Sequence, residues 1–242
     1  MNALKIKSGK TRMVAHRGLS ALERENTVAA FLAAANRSYW GIETDVHECV
    51  DGNFVIIHDE TTKRVTNGEV DINIEENAYS TYSDVVLPDI DGSKNRTDIR
   101  IPLLKDYISV CKKYEKVCVL EVKNHFSPES LARMVGEIAA MEYLDNVTFI
   151  SFDWENCVNL RKLLPEQQIQ WLTSEAIDDE VIRKLVENRL DLDVHYYKLN
   201  RELVSKLHAA GITVNCWTCD SPEKAYALIK MGVDMITSNV LE

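Results

Sequence analysis

Residues 190–237 read LDLDVHYYKLNRELVSKLHAAGITVNCWTCDSPEKAYALIKMGVDMIT. Short apolar runs rich in β-branched residues alternate here with amphipathic stretches of helical length, a pattern typical of βα units in a parallel sheet. Gly211 and Gly232 follow the two helical stretches and are suited to ending them. The segment predicts strands and helices in the order Leu190–His195, Arg201–Ala210, Thr213–Trp217, Pro222–Met231 and Val233–Thr237.

The same alternation extends toward the N-terminus. It predicts further strands at Met13–His16, Gly41–Cys49, Val117–Lys123, Val147–Phe152 and Ile169–Thr173. Helices are expected at Glu25–Ser38, Leu103–Tyr114, Pro128–Met141, Trp154–Leu164 and Ile177–Asn188. Eight strands with interleaved helices predict an α/β fold of the (β/α)8 TIM-barrel type, with a doubly wound open sheet as the alternative.

One long segment interrupts this rhythm. Between Asp59 and about Arg100 no periodicity is visible, but turn signals such as Asn67-Gly68 and Asp91-Gly92 are frequent. A structureless loop of this length is uncommon inside a compact domain. We therefore expect one domain over residues 1–242, with a small insertion at about 59–100 that has some strand content and lies over the barrel mouth.

Composition limits the partners and the compartment. The 242 residues carry a formal net charge of −10 without a run rich in Lys or Arg, which argues against nucleic acid or an anionic membrane surface. Neither a signal peptide nor a transmembrane stretch is recognisable, so we expect a cytoplasmic protein without stable membrane insertion. The six cysteines are then reduced thiols, and the C-x-x-C spacing of Cys216 and Cys219 follows a strand and is read as packing.

Acidic side chains cluster at the predicted carboxyl ends of two neighbouring strands, where barrel enzymes place their chemistry. Glu43 and Asp45 share one face of a strand, and Glu121 is expected beside them on the next strand. Three carboxylates facing one cavity favour a hard divalent cation, Mg²⁺ or Ca²⁺. The structural alternative is an ion-pair network with Arg17 and Lys123.

Two of the six histidines are candidates for proton transfer. His16 ends the first strand. A two-residue hairpin turn at Asp51-Gly52 would place His58 opposite Asp45, whereas a bulge would shift the register by one and turn His58 away. His47 is expected above Asp45 at the rim, and the remaining histidines, His125, His195 and His208, are interpreted as structural or surface residues. Trp217 ends a strand at the mouth and suits either the core or the apolar wall of a site.

These residues belong to a longer series of motifs that resembles the glycerophosphodiester phosphodiesterase family. The matching motifs are Ala15-His16-Arg17-Gly18, Glu25-Asn26-Thr27, Ile42-Glu43-Thr44-Asp45-Val46, His58-Asp59-Glu60, Ile101-Pro102, Leu120-Glu121-Val122-Lys123, Ser151-Phe152-Asp153, Trp217-Thr218 and Gly232-Val233-Asp234. They span nearly the whole chain in the family's order. Departures include Cys219-Asp220 in place of a frequent Val-Asn and Thr237-Ser238-Asn239 in place of a usual Thr-Asp.

The resemblance implies a TIM barrel that hydrolyses small glycerophosphodiesters to an alcohol and sn-glycerol 3-phosphate. It implies one divalent cation held by Glu43, Asp45 and Glu121, and acid–base roles for His16 and His58. It further implies that Arg17 and Lys123 hold the phosphate and that Trp217 lines the site. We assign His16 as the base and His58 as the acid, without fixing a head group or an oligomeric state.

Two other functions are compatible with the same residues. One is a lysophospholipase D or sphingomyelinase D-like activity, which needs an apolar groove beside the mouth for a long chain. The other is a non-catalytic binding module on the same fold. A binding role would not require two histidines and three carboxylates together, which favours an enzyme.

Overall fold

A computed structural model describes residues 2–242 and contains a closed barrel of eight parallel strands, which confirms the expected fold class. The strands are β1 (Arg12–Ala15), β2 (Gly41–Glu48), β3 (Phe54–Ile56), β4 (Val117–Val122), β5 (Val147–Ser151), β6 (Ile169–Thr173), β7 (Asp191–His195), β8 (Val214–Trp217) and β9 (Met235–Ser238). The barrel order is β1-β9-β8-β7-β6-β5-β4-β2, closed by pairing of β1 with β2, while β3 lies antiparallel on the end of β2.

Among residues 2–242, seven helices pack around the barrel, and most begin where a polar side chain caps the first turn. They are α1 (Val28–Ala35), α2 (Leu104–Lys113), α3 (Pro128–Ala140), α4 (Trp154–Leu163), α5 (Asp179–Glu187), α6 (Arg201–Ala209) and α7 (Pro222–Met231). Ser127 and Ser221 accept hydrogen bonds from Ser130 N and Lys224 N, as expected for caps before an N1 proline. Apolar side chains between helices and strands form the main core, and a smaller cluster that includes Val14, Val119, Ile150, Leu172 and Met235 lies apart from it.

The first helix is shorter than the sequence suggested. Glu25–Ser38 was expected, but α1 starts at Val28 because Asn26 has a left-handed φ of 54° and Thr27 caps the helix through Ala30 N. Helical periodicity could not reveal that Glu25 and Asn26 leave the helix to contact the barrel mouth.

The segment from Asp59 to Arg100 is irregular but packed. Within these residues, all of which are described, the only regular features are a 3₁₀ turn at Tyr79–Thr81 and an isolated bridge between Thr61 and Asn73. The expected strand content was therefore wrong. The segment is held by its own apolar cluster, which contains Val55, Ile57, Val65, Ile74, Tyr82, Leu87, Ile99 and Ile101.

All six cysteines are buried and free. Among residues 2–242, no helix has both the length and the apolar character required to cross a bilayer.

Candidate active site

A small cavity opens among the carboxyl ends of the barrel strands. Six of the predicted residues line it: His16, Arg17, Glu43, His58, Glu121 and Trp217. Lys123 Nζ lies 2.7 Å from Oε1 of Glu121, which lines the cavity, and 3.6 Å from Asp45 Oδ1. Asp45 and Lys123 therefore lie beside the cavity. The structure thus brings together all the residues that the sequence analysis selected.

The three carboxylates meet because β2 and β4 pair in register. Asp45 lies opposite Glu121, and Glu43 precedes Asp45 by two residues on the same strand. One oxygen from each of the three side chains lies within 4.8 Å of the others, and all three residues are at least 93% buried, with exposures of 4%, 1% and 7%. Asn26 fixes this arrangement by donating from Nδ2 to Asp45 Oδ2 at 2.8 Å.

The electrostatics of this cluster suit a bound cation. Burial, reinforced by the charges of Asp45 and Glu121, raises the pKa of Glu43 well above its usual range. Burial and the charge of Asp45 raise the pKa of Glu121 to about 7. Burial also opposes ionisation of Asp45, but the charges of Arg17 and Lys123 outweigh it and lower the pKa of Asp45. Asp45 Oδ1 is buried without a hydrogen-bond partner, and an all-oxygen set of this kind fits a hard divalent ion.

Arg17 is held by a tight turn after β1. Arg17 has φ 54° and Gly18 φ 77°, and a Cβ on Gly18 would lie 2.6 Å from the carbonyl carbon of Ala30. The turn directs Arg17 N to Glu43 Oε2 at 2.7 Å and places Arg17 Nε 3.5 Å from Asp45 Oδ2. A side chain at position 18 would therefore disturb the turn that places Arg17 beside the carboxylates.

His16 is oriented by a residue that the sequence analysis did not select. His16 Nδ1 lies 2.8 Å from Asn239 Oδ1, and Asn239 Nδ2 donates to Asp220 Oδ2 at 2.7 Å. Because the Asp220 carboxylate only accepts, the oxygen of the Asn239 amide faces His16, and Nδ1 carries the proton. Nε2 is then available as an acceptor. Burial and the charge of Arg17 lower the pKa of His16 to about 4, so that the ring is neutral at physiological pH.

His58 reaches the cavity, but not by the predicted route. Val46 pairs with Ile56 and His47 with Val55, and Cys49 N donates to Asn53 O, so the hairpin loop has three residues and ends in Gly52 with φ 79°. The predicted register was wrong by one residue, since Ile57 lies opposite Asp45. The strand ends at Ile56, and His58 faces the cavity because the chain has already left the ladder.

Contacts on two sides hold His58. Its Nδ1 lies 2.7 Å from Asp59 Oδ1, which leaves Nε2 available. Its backbone oxygen lies 3.3 Å from Nε2 of His47, whose Nδ1 lies 2.7 Å from Glu75 Oε1. His47 was expected at the rim, but it is fully buried beneath His58. Burial lowers the pKa of His58, and the charge of Asp45 opposes this shift.

Arg64, in the irregular segment, joins the supports of His58 and Arg17. Its guanidinium donates to Asp59 through Nε at 2.7 Å and Nη2 at 2.9 Å. It also donates to Glu25 through Nη1 at 3.0 Å and Nη2 at 2.9 Å, and Glu25 accepts from Arg17 Nη1 at 2.8 Å. Arg64 had no distinguishing signal in the sequence, because its role depends on partners that are distant along the chain.

Aromatic side chains form one wall of the mouth. Trp217 makes edge-to-face contacts with Phe152, at 5.6 Å between ring centroids, and with His195, at 5.2 Å. Phe152 is 48% exposed. Of the other histidines, His125 lies beside Asp153 at the surface and His208 pairs with Asp234, so neither lines the cavity.

Comparison with known proteins gives consistent matches over nearly the whole chain. The model of the glycerophosphoryl diester phosphodiesterase family matches residues 16–242. A glycerophosphodiester phosphodiesterase of Caldanaerobacter subterraneus is 29% identical over 235 residues, which cover 95% of this chain and 94% of the relative. An Oleispira antarctica phosphodiesterase, solved in complex with the product sn-glycerol-3-phosphate, superposes with a TM-score of 0.86 at 26% identity and covers 98% of this chain and 96% of its own. A glycerophosphodiester phosphodiesterase of Parabacteroides distasonis gives a TM-score of 0.78 at 26% identity, with coverage of 95% and 93%.

Proposed function

This chain belongs to the glycerophosphoryl diester phosphodiesterase family, and from that premise we propose that it hydrolyses glycerophosphodiesters to an alcohol and sn-glycerol 3-phosphate. The observation that carries the proposal is the convergence of three buried carboxylates in a cavity that is also lined by two histidines. A phosphodiester needs charge neutralisation together with a proton acceptor and a proton donor, and this cavity offers groups for each.

Glu43, Asp45 and Glu121 would hold one divalent cation, either Mg²⁺ or Ca²⁺. When all three carboxyls are ionised, they outnumber the neighbouring cations Arg17 and Lys123 by one negative charge, which would repel an anionic substrate. When bound, the ion supplies the positive charge that attracts the phosphodiester and stabilises its transition state. Arg17 and Lys123 orient the phosphate oxygens from the protein side.

His16 acts as the base and His58 as the acid. Neutral His16 accepts the proton of the attacking oxygen, which belongs to water or to the neighbouring glycerol hydroxyl. His58 donates a proton to the leaving alcohol as the P–O bond breaks. The partners of the two rings support this order, because the neutral amide of Asn239 holds the tautomer of His16, whereas the carboxylate of Asp59 stabilises an imidazolium at His58.

A lysophospholipase D-like activity remains the second candidate, and exposed aromatic side chains beside the mouth favour it. Phe152 and Tyr197 are 48% and 69% exposed, and both belong to the aromatic cluster that includes Trp217 and His195. Such a surface could bind part of an acyl chain. Hydrolysis of lysophosphatidylcholine in preference to glycerophosphocholine would establish this activity.

The test is a panel of glycerophosphodiesters assayed with EDTA and then with Mg²⁺ or Ca²⁺ restored. We expect activity only with an ion, and His16→Ala and His58→Ala should each lower kcat by about 10²–10⁴-fold. His208→Ala is the matched control, because His208 is part-exposed and lies outside the cavity. Hydrolysis of none of these diesters under any ion condition would refute the proposed function.

A further inference from the structure

A fourth acidic residue faces the cavity, and the mechanism described above does not use it. Asp193, in the middle of β7, is 1% exposed and lines the cavity with His16 and Glu121. Its Oδ1 is buried without a hydrogen-bond partner. Burial, reinforced by the charge of Glu121, raises the pKa of Asp193 well above its usual range.

Two polar neighbours of Asp193 on the sheet do have partners. Asn215, its neighbour on β8, donates to Gln170 Oε1 at 3.1 Å. Asp191, two residues earlier on β7, accepts from Thr213 N at 2.8 Å and from Gln168 Nε2 at 3.2 Å. Buried polar groups are nearly always hydrogen-bonded, and leaving one unpaired is costly. Of Asp191, Asp193 and Asn215, only Asp193 lines the cavity. We therefore expect its hydrogen-bond partner to come from a ligand in that cavity.

The chemistry of the cavity indicates which kind of ligand group Asp193 can bind. The carboxylate cluster that fits a cation comprises Glu43, Asp45 and Glu121 and does not include Asp193. An anionic phosphate can accept a hydrogen bond from a protonated carboxyl but is repelled by an ionised one. A hydroxyl can both donate and accept, so it pairs with a carboxyl in either protonation state. Ile150 and Leu172 line the same cavity and offer apolar contact to the carbon chain that carries a hydroxyl.

We propose that Asp193 forms a hydroxyl-binding subsite that selects the glycerol moiety of the substrate. This inference rests on the proposed function, because it assumes that the phosphate lies between His16 and His58. It assigns to Asp193 a role in substrate selection, in direct contact with a hydroxyl. A site that hydrogen-bonds a substrate hydroxyl discriminates strongly against an analogue that lacks it, because the buried group of the protein is then left unpaired.

The experiment compares glycerophosphocholine with 2-hydroxypropylphosphocholine, a propyl analogue that keeps the phosphodiester, the head group and the 2-hydroxyl next to the phosphate ester but lacks the terminal hydroxyl of glycerol. Wild-type protein, Asp193→Leu and Asp193→Asn are assayed on each substrate. We expect Asp193→Leu to lower kcat/KM for glycerophosphocholine by about 10–100-fold while changing kcat/KM for the propyl analogue by less than about 3-fold. Asp193→Asn keeps a hydrogen-bonding group and should retain more of the selectivity.

Asp191→Asn is the matched control, because it changes a half-buried, partnered carboxyl on the same strand outside the cavity. It should leave the ratio of the two kcat/KM values unchanged. Equal losses on both substrates in Asp193→Leu, or an unchanged ratio, would overturn the subsite. A loss of Ca²⁺ or Mg²⁺ affinity in Asp193→Asn, measured by titration calorimetry, would overturn it too. Failure of the wild-type protein on every glycerophosphodiester would instead refute the proposed function itself.

Discussion

Replacing Arg64 by alanine should remove the hydrogen bonds that link the partner of His58 to the partner of Arg17. The guanidinium makes four hydrogen bonds of 2.7–3.0 Å to Asp59 and Glu25. Asp59 contacts His58 Nδ1, and Glu25 contacts Arg17. Without Arg64, both carboxylates lose a charged partner, so that His58 and Arg17 gain freedom to rotate away from the positions that the reaction needs.

The size of the effect follows from the exposure and the geometry. The Arg64 side chain is 47% exposed, so each of its two ion pairs is discounted for solvent screening. We expect a loss in the free energy of unfolding of about 1–2 kcal/mol in total. The kcat should fall by about 10–100-fold, because small displacements of groups that orient the reacting partners reduce rates by such factors.

The measurement is steady-state hydrolysis of glycerophosphocholine together with thermal unfolding and ion titration. Arg96→Ala is the matched control, since Arg96 is also in the irregular segment, is 37% exposed and pairs with Glu23 and Asp98 outside the cavity. Both variants should lose similar stability, but only Arg64→Ala should lose kcat. If kcat in Arg64→Ala stays within about 2-fold of the wild type, the positioning role is wrong.

Three further outcomes follow from the structure. Glu121→Gln should weaken binding of Mg²⁺ or Ca²⁺ by at least about 10-fold in a calorimetric titration, because it removes one of three anionic ligands. The pKa of Glu121 is about 7, and a proton on Glu121 competes with the ion, so activity at a subsaturating ion concentration should fall as the pH drops below 7. A saturating ion concentration should move this acid limb of the pH–activity profile to lower pH, toward the pKa of about 4 of His16. An acid limb that does not respond to the ion concentration would contradict this reasoning. Asn239→Leu should lower kcat about 10–100-fold with little change in KM, whereas Asn239→Asp should retain more activity and move the acid limb to higher pH, because a carboxylate favours the protonated form of His16.

The barrel and the carboxylate cluster could be predicted because each depends on short-range periodicity. Side chains alternate between the two faces of a strand, and neighbouring parallel strands align their carboxyl ends. Glu43, Asp45 and Glu121 therefore converge once the strands are located. The hairpin before His58 is different. Its register depends on whether the loop has two or three residues, and the left-handed Gly52 is compatible with both.

Hydrophobic periodicity could not predict the contacts that hold His58. Arg64 and Glu75 belong to a segment with almost no regular structure, which is held by an apolar cluster of its own and by polar contacts with the barrel mouth. Through Asp59 and His47 these two residues contact the side chain and the backbone of His58 respectively. The position of His58 therefore depends on a segment whose conformation is set by contacts distant along the chain. Changes that loosen the apolar cluster of this segment should reduce kcat before they unfold the barrel, because the barrel keeps its own core, whereas His58 keeps its place only while the segment is packed.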